Sequence, residues 1–342
     1  MRDIKELSIK ELETAFTALG QERFHARQVF SWIYKKGVMD FSAMSNLSAD
    51  LRRALAKEFF IHSLFLTEKL NSADGTQKLL LKLKDVNFIE GVIIPAENRV
   101  TGCVSTQAGC KYACGFCVSG RLGFKRNLTT GEIIEEVLFL KNNSADTKLT
   151  HLVFMGTGEP LDNYDNLLKA IRIINSSDGL NIGARRITIS TCGIIPGIER
   201  LAQEGIQFEL SVSLHAADDK TRSLLMPVNK IYPLKELLAA CRGYAAKTNR
   251  QVTFEYILIK GVNSDLQNAK RLGKLLLGLN CKVNLIVYNP AADFKAEPPG
   301  KPEILMFKDS LFKSGINVTL RKSRGLDIAA ACGQLKLKYE KI

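Results

Sequence analysis

Residues 109–123 read Gly-Cys-Lys-Tyr-Ala-Cys-Gly-Phe-Cys-Val-Ser-Gly-Arg-Leu-Gly, which sets Cys110, Cys114 and Cys117 in the spacing CxxxCxxC. Four cysteines would close a tetrahedral zinc site, whereas three thiolates on a cubane iron–sulfur cluster leave one iron free to bind a substrate or a second cofactor. The alternatives are a structural zinc knuckle and a chance grouping. No second CxxC pair completes a zinc ribbon, because the remaining cysteines are scattered: Cys103, Cys192, Cys241, Cys281 and Cys332. The spacing therefore favours an open iron–sulfur cluster.

An aromatic residue, Phe116, stands just before the last cysteine of this motif. In that respect the motif resembles the signature of the radical S-adenosylmethionine (SAM) enzymes. The resemblance implies a [4Fe–4S] cluster whose free iron chelates the amino and carboxylate groups of SAM. It also implies that an electron from the cluster cleaves the sulfonium bond to give a 5'-deoxyadenosyl radical.

Composition indicates a globular protein with an anionic partner. The chain has 342 residues, 46% of them hydrophobic, which is enough for one large domain with a smaller appendage. The formal charge of +13 favours nucleic acid, because Lys and Arg neutralise phosphates. A membrane surface is the competing partner, but no apolar run approaches the roughly 20 residues that span a bilayer. The amino terminus lacks the apolar core of a signal peptide, and cysteines clustered as ligands suit a reducing compartment, so we expect a cytoplasmic protein.

The pattern of apolar residues predicts three regions. Residues 1–62 carry them at helical spacing and are expected to form a small helical accessory domain with a basic surface. Residues 63–99 shift towards alternation, which predicts an antiparallel β extension. Residues 100–342 are expected to form the core domain, including the carboxyl-terminal segment that carries Cys332.

Strands and helices alternate regularly after residue 99, which predicts an α/β fold of parallel βαβ units. The number of units indicates a partial (β/α)6 barrel related to the TIM barrel, in which chemistry gathers at the carboxyl ends of the strands. The predicted strands are 100–105, 151–155, 186–190, 208–214, 252–259, 283–288 and 317–320. The predicted helices are 132–141, 164–175, 198–204, 234–247, 266–277 and 303–314.

Polar residues follow several of these strands, where they would share one rim. They are Glu159, Ser190, Ser213, His215 and Asn289, with Gly158 in the turn just before Glu159. Turn and capping chemistry explains each of them equally well when it is taken alone. Glu90 interrupts an apolar strand, and from the pattern alone we expect a surface glutamate on an edge strand. By the same reasoning Cys103 and Cys332 are small buried hydrophobic residues, although they could also meet at one site.

Taken together, these motifs resemble the RlmN family of radical SAM RNA methyltransferases over nearly the whole chain. The matching stretches are Cys103-Val-Ser-Thr-Gln-Ala-Gly-Cys, the cluster motif followed by Gly-Phe-Lys-Arg-Asn-Leu, Gly-Glu-Pro-Leu, Ser-Leu-His-Ala, Asn289-Pro and Asp-Ile-Ala-Ala-Ala-Cys-Gly-Gln-Leu. Two departures are Thr157, where many relatives have methionine, and Cys192 after Ser190-Thr191.

The resemblance implies a role for each aligned residue. Cys110, Cys114 and Cys117 would bind the cluster, and Glu90 would be the proton acceptor, which replaces the surface interpretation. Cys332 would carry a methyl group taken from one SAM, a second SAM would supply the radical, and Cys103 would release the product through a transient disulfide. The residues aligned with SAM contacts are Gly158, Glu159, Ser190, Ser213, Leu214, His215 and Asn289.

The implied substrates are RNAs. The family methylates carbon 2 of an adenosine in 23S ribosomal RNA, at the peptidyl transferase centre, and in many members an adenosine next to the tRNA anticodon. The resemblance further implies an electron donor such as flavodoxin and a monomeric enzyme. One alternative is a Cfr-type enzyme, which methylates carbon 8, and another is a non-catalytic RNA-binding protein with a structural metal site. Candidate phosphate contacts are Lys125, Arg126, Arg185, Arg186, Arg321, Lys322 and Arg324.

Overall fold

A computed structural model describes residues 1–121, 123–144, 148–290 and 294–330. The chain begins with a small helical unit, in which a two-residue strand at each end closes the unit on itself. The first helix starts at a capping box, since the Ser8 hydroxyl accepts from the Glu11 N–H and the Glu11 carboxylate accepts from the Ser8 N–H. In chain order the elements are β1 (Arg2–Asp3), α1 (Ile9–Ala18), α2 (Arg23–Tyr34), α3 (Ala49–Glu58) and β2 (Phe59–Phe60).

The β extension is an antiparallel meander of three strands. It consists of β3 (Phe65–Asn71), β4 (Gln77–Lys82) and β5 (Phe88–Ala96). The apolar run Leu79–Leu81 of β4 is buried. The next strand, β6 (Arg99–Cys103), pairs antiparallel with β5 and therefore joins the extension to the core sheet. As a result β5 is an interior strand, with hydrogen-bonded neighbours on both sides.

The core domain continues as alternating strands and helices. Its elements are β7 (Gln107–Gly109), α4 (Val118–Arg121), β8 (Phe124–Asn127), α5 (Thr130–Asn143), β9 (His151–Phe154), α6 (Tyr164–Asn175), β10 (Ile187–Thr191), α7 (Ile195–Gln203), β11 (Glu209–Ser213), α8 (Asp219–Leu225), α9 (Leu234–Thr248), β12 (Val252–Leu258), α10 (Leu266–Leu275), β13 (Cys281–Val287), α11 (Lys301–Lys313) and β14 (Asn317–Arg321). Each predicted core strand and helix is present, with ends displaced by a few residues.

The core strands form one parallel sheet in sequence order, β6-β9-β10-β11-β12-β13-β14. Each neighbouring pair is connected through at least one helix, so the core contains six strand–helix units followed by a last strand. Over the described residues the sheet has ten strands with β3 and β14 at its edges, and the barrel is open. This confirms the predicted α/β class and partial barrel.

The helical unit and the barrel share one hydrophobic core. A buried ion pair also crosses between them: the Lys5 ammonium contacts the Glu135 carboxylate on α5 and donates to the carbonyl of His62. Nearby, Lys141 of α5 donates to the Tyr34 carbonyl at 2.9 Å. Since Lys5 and Glu135 are almost fully buried, each charge requires the other.

Candidate active site

The cysteine motif lies on a loop held at both ends by the antiparallel pair β7 and β8. The Cys110 N–H donates to the Gly123 carbonyl at 3.1 Å. Gly109 has a φ of +77°, and a Cβ there would stand 1.7 Å from the Gly123 oxygen. Only glycine fits this position, so the turn before the first cysteine requires Gly109.

Cys110, Cys114 and Cys117 are all half-buried on this loop. Burial raises the pKa of the Cys110 thiol to about 12 and that of Cys114 well above its usual range, and the neighbouring Glu159 and cysteines add to both shifts. Close thiols, two of which resist ionisation, suit a cationic centre, which would stabilise them as thiolates. Among the described residues no three His, Cys, Asp or Glu side chains are arranged to hold a metal ion. A four-iron cluster needs its ligands farther apart than a single ion does, and the donor set fits such a cluster.

The aromatic residue of the motif anchors the loop to the end of β11. The ring of Phe116 meets the ring of His215 edge to face, with centroids 4.8 Å apart. His215 is buried, has a φ of +57°, and accepts a hydrogen bond at Nδ1 from the Ile257 N–H at 3.0 Å. Burial lowers the pKa of His215 to about 3, so its ring is neutral. The packing brings the cysteine loop and the Ser213–His215 segment together, as the sequence predicts.

Gly158 and Glu159 form a tight turn after β9. Gly158 has a φ of +105°, and a Cβ there would lie 2.5 Å from the Cβ of Gln107. The Glu159 carboxylate is buried and accepts from the N–H groups of Leu161 at 3.0 Å and Cys192 at 2.7 Å. Burial raises the pKa of Glu159, while these hydrogen bonds lower it. Glu159 thus fixes the turn to the segment after β10.

Cys192, the unusual thiol of this chain, is buried beside Glu159. Burial raises its pKa well above the usual range, and the neighbouring carboxylate adds to that shift. The thiol is therefore poorly suited to act as a nucleophile.

The remaining predicted SAM contacts lie along the same rim. Ser190 on β10 and Ser213 on β11 are partly exposed, whereas Leu214 is fully buried. The N–H groups of Leu214 and His215 both donate to the carbonyl of Glu255 on β12. Asn289 follows β13 and accepts from the Ser323 hydroxyl at 3.2 Å, which connects the rim to the carboxyl-terminal segment.

Arg222, a fully buried residue on α8, is not among the residues predicted from the sequence. Its guanidinium donates to the carbonyls of Cys192 at 2.7 Å, Ser213 at 3.1 Å and Leu214 at 3.2 Å. Desolvation lowers its pKa. Arg222 therefore holds the ends of β10 and β11 in one arrangement. The only signal in the sequence is an arginine two residues before the apolar run Leu224-Leu225-Met226.

Glu90 is 2% exposed and lies on the interior strand β5, so the expectation of a surface residue on an edge strand is wrong. Its Oε1 lies 3.2 Å from the ammonium nitrogen of Lys78. Cys103 on β6 stands opposite Val92, two residues after Glu90. Because side chains alternate along a strand, Glu90 and Cys103 share one face of the sheet.

Cys332 lies outside the described residues. The described chain ends at Ala330, which packs against Val92 and Cys103 in a small apolar cluster. The segment that leads towards Cys332 therefore reaches the face that carries Cys103 and Glu90.

A cavity of about 650 Å³ opens inside the barrel and passes this face. Met155, Glu255, Asn289 and Ala330 are among the residues that line it. The cationic residues at its wall are Arg99, Arg185, Arg186, Lys282, Arg321, Lys322 and Arg324. Arg185 and Arg186 precede β10, so positive charge also lies at the end of the barrel opposite the cysteine loop. Arg126 is instead engaged with Asp85 and Glu132, which weakens its candidacy for phosphate contact.

Comparisons with known proteins cover the whole chain. Residues 104–272 match the model of the radical SAM superfamily, and residues 2–61 match the ribosomal RNA large subunit methyltransferase N-terminal domain. A probable dual-specificity RNA methyltransferase RlmN from Thermoanaerobacter sp. (strain X514) is 43% identical over 342 residues, covering 100% of this chain and 99% of the relative. This chain belongs to the RlmN family. RlmN of Thermotoga neapolitana, also described as probable, is 45% identical over 339 residues, covering 99% of this chain and 98% of the relative.

A solved structure has the same fold as this chain. A radical SAM methyltransferase from Sphaerobacter thermophilus is 44% identical, with a TM-score of 0.94 over 98% of this chain and 99% of that chain. Membership of the radical SAM superfamily implies a [4Fe–4S] cluster and SAM. No helix in the described ranges combines the length and apolarity needed to cross a bilayer.

Proposed function

We propose that this protein methylates carbon 2 of one adenosine in the peptidyl transferase centre of 23S ribosomal RNA, and carbon 2 of the adenosine next to the anticodon in some tRNAs. Family membership and the net charge of +13 support an RNA substrate. The observation that carries the proposal is the shared face of β5 and β6. There a buried carboxylate, Glu90, lies on the same face as Cys103, and the segment ending at Ala330 packs against that face.

The chain offers a place for each cofactor. Cys110, Cys114 and Cys117 would hold the [4Fe–4S] cluster. The residues that would hold SAM are Gly158, Glu159, Ser190, Ser213, Leu214, His215 and Asn289. When bound, the cluster and SAM supply a carbon radical that abstracts hydrogen. We propose two SAM molecules per turnover, one as methyl donor and one as radical source.

The protein's own residues carry the methyl group. Carbon 2 of adenine lies between two ring nitrogens and is electron-poor, so it does not attack the methyl group of SAM directly. The Cys332 thiolate takes that methyl by displacement. After loss of one hydrogen atom, the methyl carbon of Cys332 bonds to carbon 2 and joins RNA to protein.

Glu90 and Cys103 complete the reaction. The radical adduct then loses one electron, which the cluster would take up, and Glu90 accepts the ring proton, so that the base regains its aromatic bonding. The Cys103 thiolate then attacks the sulfur of Cys332, the carbon–sulfur bond breaks, and the departing carbon takes a proton. The methylated base leaves, and a Cys103–Cys332 disulfide remains for an external reductant.

Several broader features belong to the same proposal. We place the enzyme in the cytoplasm, as a monomer that receives electrons from a donor such as flavodoxin. We divide the chain into a helical accessory domain over residues 1–62, a β extension over 63–99 and a core barrel over 100–342. The target adenosine would leave its stack to reach the cavity.

Nucleoside analysis tests the proposal. Anaerobically reconstituted enzyme is incubated with SAM, a reductant and either a 23S RNA fragment or tRNA, and the digested RNA is analysed by mass spectrometry. We expect 2-methyladenosine, and none with Cys110→Ala. As a matched control, Cys281→Ala removes a buried thiol at the start of β13 and is expected to retain activity. The product 8-methyladenosine would assign a Cfr-type activity instead, and unmodified RNA would reject both.

A further inference from the structure

Lys78 is a buried lysine that contacts two separate parts of the proposed site. It lies on β4 and is 6% exposed. Its ammonium nitrogen stands 3.2 Å from Glu90 Oε1 and donates to the carbonyl of Ala329 at 3.2 Å. Burying an ammonium group costs several kcal/mol unless partners compensate for the lost water. The two contacts therefore account for the presence of a charge at this position.

The register of the strands shows how close these groups are. Lys78 stands opposite Val92 on β5, and Val92 stands opposite Cys103 on β6. Lys78, Val92 and Cys103 thus form one row across three strands, and Glu90 lies on the same face one row away. Ala330, the neighbour of Ala329, packs on Val92 and Cys103.

We propose that Lys78 is a positioning residue that holds Glu90 and the segment leading to Cys332 in a fixed relation to each other. The inference rests on the proposed function and extends it. One ammonium group joins the side chain that accepts the proton to the segment that carries the methyl group. Because both must meet carbon 2 of the same base, a shared partner limits their relative motion.

Other contacts attach the same segment to the turn between β3 and β4, but closer to solvent. Asp327 accepts from the Ser72 hydroxyl at 2.6 Å and from the Ala73 N–H at 3.1 Å. The Gly325 N–H donates to Asp74 at 3.1 Å. These bonds hold the segment near the β extension, but none of them involves Glu90. Lys78 contacts both the segment and Glu90.

The test compares three variants of the full-length, reconstituted enzyme. Lys78→Met removes the charge and the donors, Lys78→Arg retains both, and Lys82→Met is a matched control at the far end of β4. We measure single-turnover methylation of the 23S RNA fragment, RNA affinity, the covalent RNA–protein adduct and amide hydrogen exchange of residues 323–330.

We expect Lys78→Met to slow methylation about 100-fold, since small misplacements of reacting groups cost about that much. RNA affinity should stay unchanged, because the loss lies in the reaction and not in binding. Adduct should accumulate relative to product, and residues 323–330 should exchange faster. Lys78→Arg should recover much of the rate, and Lys82→Met should match the wild type.

Wild-type rates in Lys78→Met would overturn the inference, as would equal losses in Lys78→Arg and Lys78→Met. If Lys78→Met does not fold, Lys78→Gln replaces it and is judged by the same rates. A wild-type enzyme that leaves RNA unmodified would reject the proposed function itself. In that case the exchange of residues 323–330 would still test the tie between Lys78 and the segment, and unchanged exchange would overturn it.

Discussion

Cys103 ends β6 with only 8% of its surface exposed, and its apolar neighbours include Val92 and Ala330. A thiol in such a place has little access to reagents in solution. It can react with the sulfur of another cysteine of the same polypeptide that lies close to it, because thiol–disulfide exchange depends on access. The burial of Cys103 is therefore compatible with a partner on the carboxyl-terminal segment.

We predict that Cys103→Ala traps RNA on the protein. Without the resolving thiol, the bond between Cys332 and the RNA base has no internal route to cleavage. The adduct should migrate as one species on a denaturing gel and should disappear after nuclease treatment, except for one nucleotide on Cys332 in the mass spectrum. Cys281→Ala, the matched control, should release methylated RNA. Absence of adduct in a preparation that still consumes SAM would contradict the relay.

Glu136 on α5 gives a prediction on pH. It is fully buried, and both of its oxygens face the Ser105 N–H, at 3.1 and 3.0 Å. Burial raises its pKa well above 4.5, so the folded protein favours the protonated form. The stabilisation that Glu136 gives the folded protein is complete below the pKa of this carboxyl in the unfolded chain. It is lost as the pH rises towards the higher pKa of the same carboxyl in the folded protein.

Glu136→Gln mimics the protonated side chain and should remove this loss. We expect the free energy of unfolding to rise by about 1 to 3 kcal/mol at neutral pH and to be unchanged near pH 4. Urea titrations at several pH values provide the measurement. A gain that is equal at both pH values would contradict the assignment.

The ends of β10 and β11 form one element-scale unit with the cysteine loop. Arg222 bonds the carbonyls after both strands, and Phe116 packs on His215 at the end of β11. The cysteine loop is thus supported by the strand ends predicted to bind SAM. Disturbing one part is expected to disturb the other.

We predict that Arg222→Met lowers the free energy of unfolding by about 3 kcal/mol or more, since it leaves several buried carbonyls without a donor. SAM affinity should fall as well, because Ser213 and Leu214 lose their support. Denaturant titration and equilibrium binding measure the two effects. Arg242→Met, on the exposed side of α9, should change stability little. A stability loss in Arg222→Met no larger than in this control would contradict the prediction.

Local patterns were enough to predict the elements of the barrel. All seven residues of β12 are buried, and a short, mainly apolar run rich in β-branched and aromatic residues indicates such a strand. The cysteine spacing and the turn glycines are likewise local features. For these reasons the predicted strands agree with the structure.

Non-local contacts could not be predicted in this way. Glu90 is buried because β5 has partners on both sides, and the residues of β5 alone do not reveal them. Arg222 bonds backbone carbonyls, which leave no mark in the sequence. Lys78 and Lys82 flank the same apolar run of β4, and only the folded structure shows that Lys78 contacts Glu90 and the carboxyl-terminal segment.

At the scale of the whole molecule, positive charge lines both ends of the barrel cavity. We predict that RNA affinity falls steeply with salt, with a slope of about −0.7 for each phosphate contact to single-stranded RNA. Replacing Arg185 and Arg186 with Ala should reduce the magnitude of the slope by about 1 to 2. Binding curves at several salt concentrations measure it. As a control, Ala at Lys235 and Lys274, exposed on α9 and α10, should leave the slope unchanged. Equal slopes in all three proteins would exclude Arg185 and Arg186 as phosphate contacts.

The buried pair of Lys5 and Glu135 limits which hybrids of two homologous genes encode a stable protein. The two residues are 130 positions apart, so a recombination crossover at most points of the first third of the gene separates them. A chimera that inherits only one of them buries a charge without its counter-charge, at a cost of about 3 to 5 kcal/mol. The helical unit and α5 should therefore be inherited as one block. Functional hybrids between homologous genes should take positions 5 and 135 from the same parent.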